Sequence, residues 1–120
     1  MAAVNQPSKV LQVQKITCAN NAAFVMYFRV RRDGDQESEA PTSDNYPVVQ
    51  MRTFDLKAMA EDKAKYPNFS IKAKEEFWAS VTALGGVTNQ GIKLQYAPNG
   101  QTATFDVRGT TLNFTVTLIG

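Results

Sequence analysis

The last thirty residues, 91–120, alternate between apolar and polar side chains in three short runs. Asn99–Gly100 separates the first two runs, and this dipeptide suits the two-residue loop of a type I′ hairpin. With that loop, apolar residues of both runs fall opposite one another on a single face, which fixes the predicted register. The register pairs Tyr96 with Ala103, Leu94 with Phe105 and Ile92 with Val107, and it sets Lys93 opposite Asp106 on the other face.

A second turn at Arg108–Gly109 brings the last run alongside, with Phe105 opposite Leu112 and Ala103 opposite Phe114. We therefore predict a C-terminal three-stranded antiparallel meander. Its outward face is polar and rich in hydroxyl groups: Thr102, Thr104, Asp106, Thr111, Asn113, Thr115 and Thr117, with Lys93 and Gln95 beside them. Such a face suits sugar or another sheet, although Thr is also simply favoured on half-exposed strands.

Period-two alternation continues upstream. Residues 22–32 predict a strand whose inward side chains are Phe24, Met26, Phe28 and Val30. The preceding run, 9–18, is rich in β-formers but mixed in period, which indicates a bulge or a strand edge. Residues 46–56 predict a further strand with Pro47 at its start.

The middle of the chain has two interpretations. Residues 55–65 predict a short helix with Asp55 as N-cap and Tyr66–Pro67 as its stop. Residues 70–84 fit a helix, with an apolar stripe ending at Gly85–Gly86, or a strand over 76–84. The strand points Phe77, Ala79, Val81 and Ala83 inward and Trp78, Ser80 and Thr82 outward. We favour the strand, because residues 85–91 then form a plausible connection into the meander.

Six to eight short strands in 120 residues predict an all-β protein, a single antiparallel β-sandwich domain over residues 1–120 with one short helix near 55–65. The chain contains no histidine, and Cys18 is its only cysteine. These counts exclude Ser-His-Asp and Cys-His catalysis and an internal disulfide. We therefore expect no enzyme activity, no metal and no cofactor. A net charge of only +2 disfavours nucleic acid as a partner. The N-terminus lacks a signal-peptide pattern, so we expect a cytoplasmic protein, or one released without a classical signal peptide.

The acidic stretch 33–45 raises the question of calcium. Asp33, Asp35, Glu37 and Glu39 alternate, but Gly34 is second and Ser43 is twelfth from Asp33, where an EF-hand loop needs glycine at the sixth position and glutamate at the twelfth. We expect a loop between two strands here.

The leading functional interpretation is a non-enzymatic, lectin-like carbohydrate-binding module, since aromatic faces and planar polar groups are available without a catalytic set. The candidate ligand-binding residues are Trp78, Tyr46, Tyr66, Asn68, Thr82, Asn113 and Thr104. One alternative is a small β-rich toxin or membrane-surface-binding protein, in which exposed Tyr and Trp enter the lipid interface and the stripe Arg29–Arg32 meets anionic headgroups. Another is a self-assembling structural protein that forms homo-oligomers through sheet edges or the Thr face.

Overall fold

A computed structural model describes residues 10–36 and 39–120. Strands make up 47% of the described residues and helix 6%, which confirms the all-β class and the single short helix. In chain order the elements are β1 (Gln12–Val13), β2 (Lys15–Asn20), β3 (Met26–Arg32), β4 (Met51–Asp55), α1 (Leu56–Glu61), β5 (Glu76–Ala83), β6 (Thr88–Gln90), β7 (Leu94–Tyr96), β8 (Thr102–Thr110) and β9 (Asn113–Leu118).

Two sheets pack face to face around one core. The first has the order β1-β7-β5-β3, with β6 also pairing with β5, and the second has the order β4-β2-β8-β9. The sandwich is therefore confirmed, but β1–β7 and β2–β8 are parallel pairs, so both sheets are mixed rather than wholly antiparallel.

Inward side chains alternate along the central strands as the sequence predicts. On β3 and the residues before it, Phe24, Met26, Phe28 and Val30 are buried. On β5 the buried apolar residues are Phe77, Ala79, Val81 and Ala83. Residues 76–83 pair with β3 over their whole shared length. The strand interpretation of this segment is thus confirmed over the helical one.

The prediction of a first hairpin in the C-terminal meander is wrong, because its two strands do not pair. β7 belongs to the first sheet, beside β5 and β1, whereas β8 belongs to the second, beside β2 and β9. The Asn99–Gly100 turn therefore carries the chain from one sheet to the other. The physical reason is that both strands still point their apolar residues into the same core, so burial alone does not distinguish pairing within a sheet from packing across the sandwich.

The hairpin between β8 and β9 exists, but its predicted register is wrong. Phe105 lies opposite Leu118 rather than Leu112, and Phe114 lies opposite Gly109 rather than Ala103. The turn is at residues 111–112, not at Arg108–Gly109. A shift by an even number of residues keeps every apolar side chain on the inward face, so alternation alone does not exclude it.

The N-terminal run breaks at Gln14, where the chain passes from β1 in the first sheet to β2 in the second. This change of sheet explains the mixed period. The helix begins as predicted, because the Asp55 carboxylate accepts hydrogen bonds from the N–H groups of Lys57 (3.1 Å) and Ala58 (3.3 Å). It ends at Glu61, before the predicted stop, and β4 begins at Met51 rather than at Pro47.

The acidic stretch connects β3 to β4 and then runs along the edge of β3. The N–H of Val30 donates to the carbonyl of Pro41, and Tyr46 exchanges backbone hydrogen bonds with Met26. The carboxylate of Asp35 is held by the Arg31 guanidinium at 2.9 Å. Glu37 lies outside the described residues.

Candidate functional site

Two neighbouring clefts open beside the segment 39–44, and the larger of them also borders the edge strand β4. The larger has a volume of about 580 Å³ and lies between the 42–44 segment, β4, α1 and the turn that follows α1. The smaller, of about 290 Å³, lies between residues 39–42 and 65–69. Thr42, Lys65 and Tyr66 line both, so we call the two together the paired cleft.

Local hydrogen bonds hold the Tyr66 side of the paired cleft. The N–H of Tyr66 donates to the carbonyl of Asp62 at 2.9 Å, and the Asp62 carboxylate accepts from the N–H of Lys65 at 3.1 Å. Phe69 is buried and anchors the next turn in the core. The Lys63 ammonium donates to the Phe69 carbonyl at 2.6 Å. Two consecutive turns therefore present Tyr66 from a fixed backbone.

Charges of both signs line the larger cleft. On one wall Arg52 forms a two-pronged ion pair with Asp44, with its Nε 2.8 Å from the carboxylate. The hydrogen bond from Arg52 lowers the pKa of Asp44 below its ordinary value. On the other wall Asp62 accompanies Lys65, whose ammonium lies 5.5 Å from the centroid of the Tyr66 ring. No single sign of charge dominates, so a neutral polar ligand suits this cleft better than a polyanion.

The predicted candidate residues lie on separate surfaces. Tyr66 and Asn68 both line the paired cleft. Trp78 and Thr82 point outward from the first sheet. On the second sheet, the outward face carries Thr104 and Asn113.

Tyr46 has no exposed surface. Its hydroxyl donates to the carbonyl of Cys18 at 2.9 Å, and the Arg52 guanidinium lies 4.7 Å from its ring centroid. Burial raises the pKa of its hydroxyl well above the ordinary value. A ring with no exposed face offers a ligand nothing to stack on, so Tyr46 supports the wall of the cleft through Arg52.

Trp78 is only half-buried, and like Tyr66 it has a lysine ammonium beside its ring. Its register partner on β3 is Arg31, and the Lys93 ammonium lies 5.0 Å from the ring centroid. The indole N–H is shielded from solvent and has no hydrogen-bond partner among the described residues. Ser80, the next outward residue, is buried as well. Long side chains thus cover much of this face.

The Thr face of the second sheet is present and extends further than predicted. Thr53, Thr17 and Thr104 lie side by side across three strands, and the hydroxyls of Thr17 and Thr53 are 2.6 Å apart. Lys93 and Gln95, expected beside this face, lie on the first sheet instead. Thr17 is buried, so part of the array satisfies its own hydrogen bonds.

Several cleft residues were not predicted from the sequence: Thr42, Asp44, Arg52, Asp62 and Lys65. Their one sequence signal is proximity to the turn-forming runs 42–47 and 65–69, which contain Ser, Asp, Asn and Pro. No run of the chain contains the whole set, because three separate segments build the cleft.

The sequence matches no protein-family model and no curated protein. Within residues 10–36 and 39–120, no group of three His, Cys, Asp or Glu side chains is arranged to hold a metal ion. Nor does the described part of the chain contain a helix that is long and apolar enough to span a membrane.

Proposed function

We propose that the protein is a non-enzymatic carbohydrate-binding module and that the paired cleft is its binding site. The observation that carries this proposal is the position of Tyr66, whose partly exposed ring borders both clefts with polar side chains on either side. A pyranose ring has an apolar C–H face that stacks on an aromatic ring, while its hydroxyls need planar donors and acceptors around the rim.

The polar groups of the cleft suit this task. Asn68 offers both a donor and an acceptor, and the Asp44–Arg52 ion pair offers a carboxylate and a guanidinium that already hold one another in place. Side chains that are ordered before binding lose less conformational entropy when the ligand arrives. A sugar without acidic or amino groups is neutral, which agrees with the balance of charge along the walls.

The same groups favour binding over hydrolysis. Asp55 at the back of the larger cleft caps α1 and accepts a hydrogen bond from the Gln14 amide, and Asp44 is paired with Arg52. The chain has no histidine to act as a general base. The Asp44 carboxyl, whose pKa the hydrogen bond from Arg52 lowers, is a poor general acid.

A glycan array followed by titration with the best binder tests the proposal. Tyr66→Ala removes the stacking face, and we expect affinity to fall by at least about tenfold, whereas Tyr66→Phe keeps the face and retains most of the affinity. Trp78→Ala serves as the matched aromatic control on the first sheet and leaves binding unchanged. An array without hits, or binding that survives Tyr66→Ala and is lost in Trp78→Ala, would overturn the assignment to the paired cleft.

A further inference from the structure

One end of the sandwich carries exposed aliphatic side chains on four loops. These loops follow β2, precede β4, follow β5 and join β8 to β9. We call the set the apolar tip: Val25 (38% exposed), Val48 (48%), Val49 (83%), Met51 (58%), Leu84 (43%), Val87 (36%) and Leu112 (72%). Apolar side chains grouped in this way on a soluble domain mark an interaction surface.

Hydrogen bonds tie the four loops of the apolar tip into one unit. The N–H of Leu84 donates to the carbonyl of Val25 (3.0 Å), and that of Val87 donates to Thr111 (2.9 Å). The carbonyl of Asn20 accepts from the N–H of Val49 at 2.7 Å. The tip is therefore positioned by the ends of the strands, and it is not a set of independent loops.

One residue of the apolar tip, Val49, is conformationally strained. Val49 has φ of +74°, in the left-handed region that β-branched residues rarely adopt. It is also the most exposed member of the tip, so the strained backbone directs an aliphatic side chain into water. Strain of this kind is retained where the surrounding structure imposes it, and it is common at functional sites.

The apolar tip is free of charge. None of residues 20–25, 47–51, 84–87 and 109–112 is Asp, Glu, Lys or Arg, although a fifth of the chain is charged. The neighbouring charges come as acid–base pairs, Asp44 with Arg52 and Asp106 with Arg108. An uncharged aliphatic end bordered by paired charges matches the profile of a zwitterionic lipid surface, which has an apolar interior beneath headgroups of both signs.

We infer that the apolar tip docks on zwitterionic lipid bilayers, placing its aliphatic side chains among the acyl chains. Protein interfaces are enriched in aromatic residues, Met and Arg, and of these the tip contains only Met51. A bilayer needs no matched pocket and no electrostatic attraction, because each aliphatic side chain gains by leaving water. This surface is distinct from the paired cleft, and it does not involve Trp78 or the Arg29–Arg32 stripe.

Co-sedimentation with phosphatidylcholine vesicles tests the inference. We expect the protein to pellet with them at low and at high salt. Leu112→Asp should lower the partition coefficient by at least about tenfold, and Val49→Gly should lower it by about tenfold while keeping the fold, since glycine adopts positive φ without strain. Ile119→Asp is the matched control, because Ile119 is 63% exposed and pairs with Thr104 at the opposite end of β8.

Three outcomes would overturn the inference. The first is no sedimentation with phosphatidylcholine. The second is binding that requires phosphatidylserine and disappears at high salt, which would indicate a basic surface instead. The third is a concentration-dependent dimer, seen by analytical ultracentrifugation and lost in Leu112→Asp, without vesicle binding, which would make the tip a contact between copies. Tyr66→Ala should still bind vesicles, so failure of the sugar proposal and failure of this one are separable.

Discussion

The adjacent residues Asn20 and Asn21 offer a direct test of what holds the loop end of the sandwich together. Asn20 is fully buried, and its amide donates to the carbonyls of Phe24 (2.8 Å) and Tyr46 (3.2 Å). Its side-chain oxygen accepts from the N–H of Ala22 at 3.0 Å. One side chain thus links the loop between β2 and β3 to the segment between β3 and β4.

Replacing Asn20 with Ala removes all three of these hydrogen bonds. The Tyr46 carbonyl keeps the N–H of Met26 as a donor, but the Phe24 carbonyl and the Ala22 N–H lose these partners. At about 1–3 kcal/mol for each of these two buried unpaired groups, we expect the free energy of unfolding to fall by about 2–6 kcal/mol. That is a large share of the roughly 5–15 kcal/mol that stabilises a typical domain.

Urea denaturation followed by circular dichroism measures this loss, and Asn21→Ala is its matched control. Asn21 is exposed, and its amide bonds to Asp106 at the surface, so we expect a loss below about 1 kcal/mol. Asn20→Asp adds a second readout, because a carboxylate cannot donate and its destabilising effect should ease as falling pH protonates it. Equal losses in Asn20→Ala and Asn21→Ala would refute the reasoning.

Three further predictions concern glycine conformation, the Asp35 ion pair and the Cys18 thiol. Gly109→Ala should cost about 2–4 kcal/mol, because a Cβ would lie 2.4 Å from a β9 carbonyl oxygen at φ of +131°; Gly100→Ala, in open space at φ of +75°, should cost about 1–2 kcal/mol. Burial raises the pKa of Asp35, but hydrogen bonds, chiefly from Arg31, outweigh this and lower it overall. The stabilisation of the fold by ionised Asp35 should therefore be complete above the unfolded pKa of about 3.9 and should fade as pH falls through the lower folded pKa. In Asp35→Asn this pH dependence should disappear. Cys18 is buried with a raised thiol pKa, so a thiol reagent should label it only as the protein opens.

A separate result would contradict each of these three predictions. Equal costs at Gly109 and Gly100 in urea denaturation would show that the close approach to β9 relaxes freely. Asp33, which is 70% exposed, is the control for Asp35. Loss of the acid dependence in Asp33→Asn, to the same extent as in Asp35→Asn, would argue against the Arg31 contact as its source. Labelling of native Cys18 as fast as that of the unfolded chain would show that the second sheet opens locally.

Local alternation was sufficient to predict which side chains face the core. Phe28 and Val81 belong to strands that pair throughout, and their burial follows from period two alone. The N-cap of α1 was predictable for the same reason, because Asp55 bonds to N–H groups two and three residues away. These features depend only on neighbours in sequence.

Partners across the fold were not predictable in this way. A shift of β9 along β8 by an even number of residues leaves the same face apolar. The pattern of apolar residues therefore allows either Leu112 or Leu118 as the partner of Phe105, and the structure has Leu118. The candidate site shows the same limit. Tyr66 and Asn68 stand in a turn that the sequence marks, whereas Asp44 and Arg52 join them only because β4 pairs with β2 at the edge of the second sheet.

Two of the chain's changes of sheet show why the meander was the wrong topology. The chain crosses between sheets at Gln14 and again at residues 97–101, and the crossings are bonded to one another. The amide of Asn99 donates to the carbonyl of Gln12 at 3.0 Å, and the N–H of Gly100 donates to the Gln14 side chain at 2.9 Å. The segment from β1 to β2 therefore lies parallel to the segment from β7 to β8, and the two segments change sheets together. Asn–Gly serves this crossing as well as it serves a hairpin, because positive φ at Gly100 is needed in both.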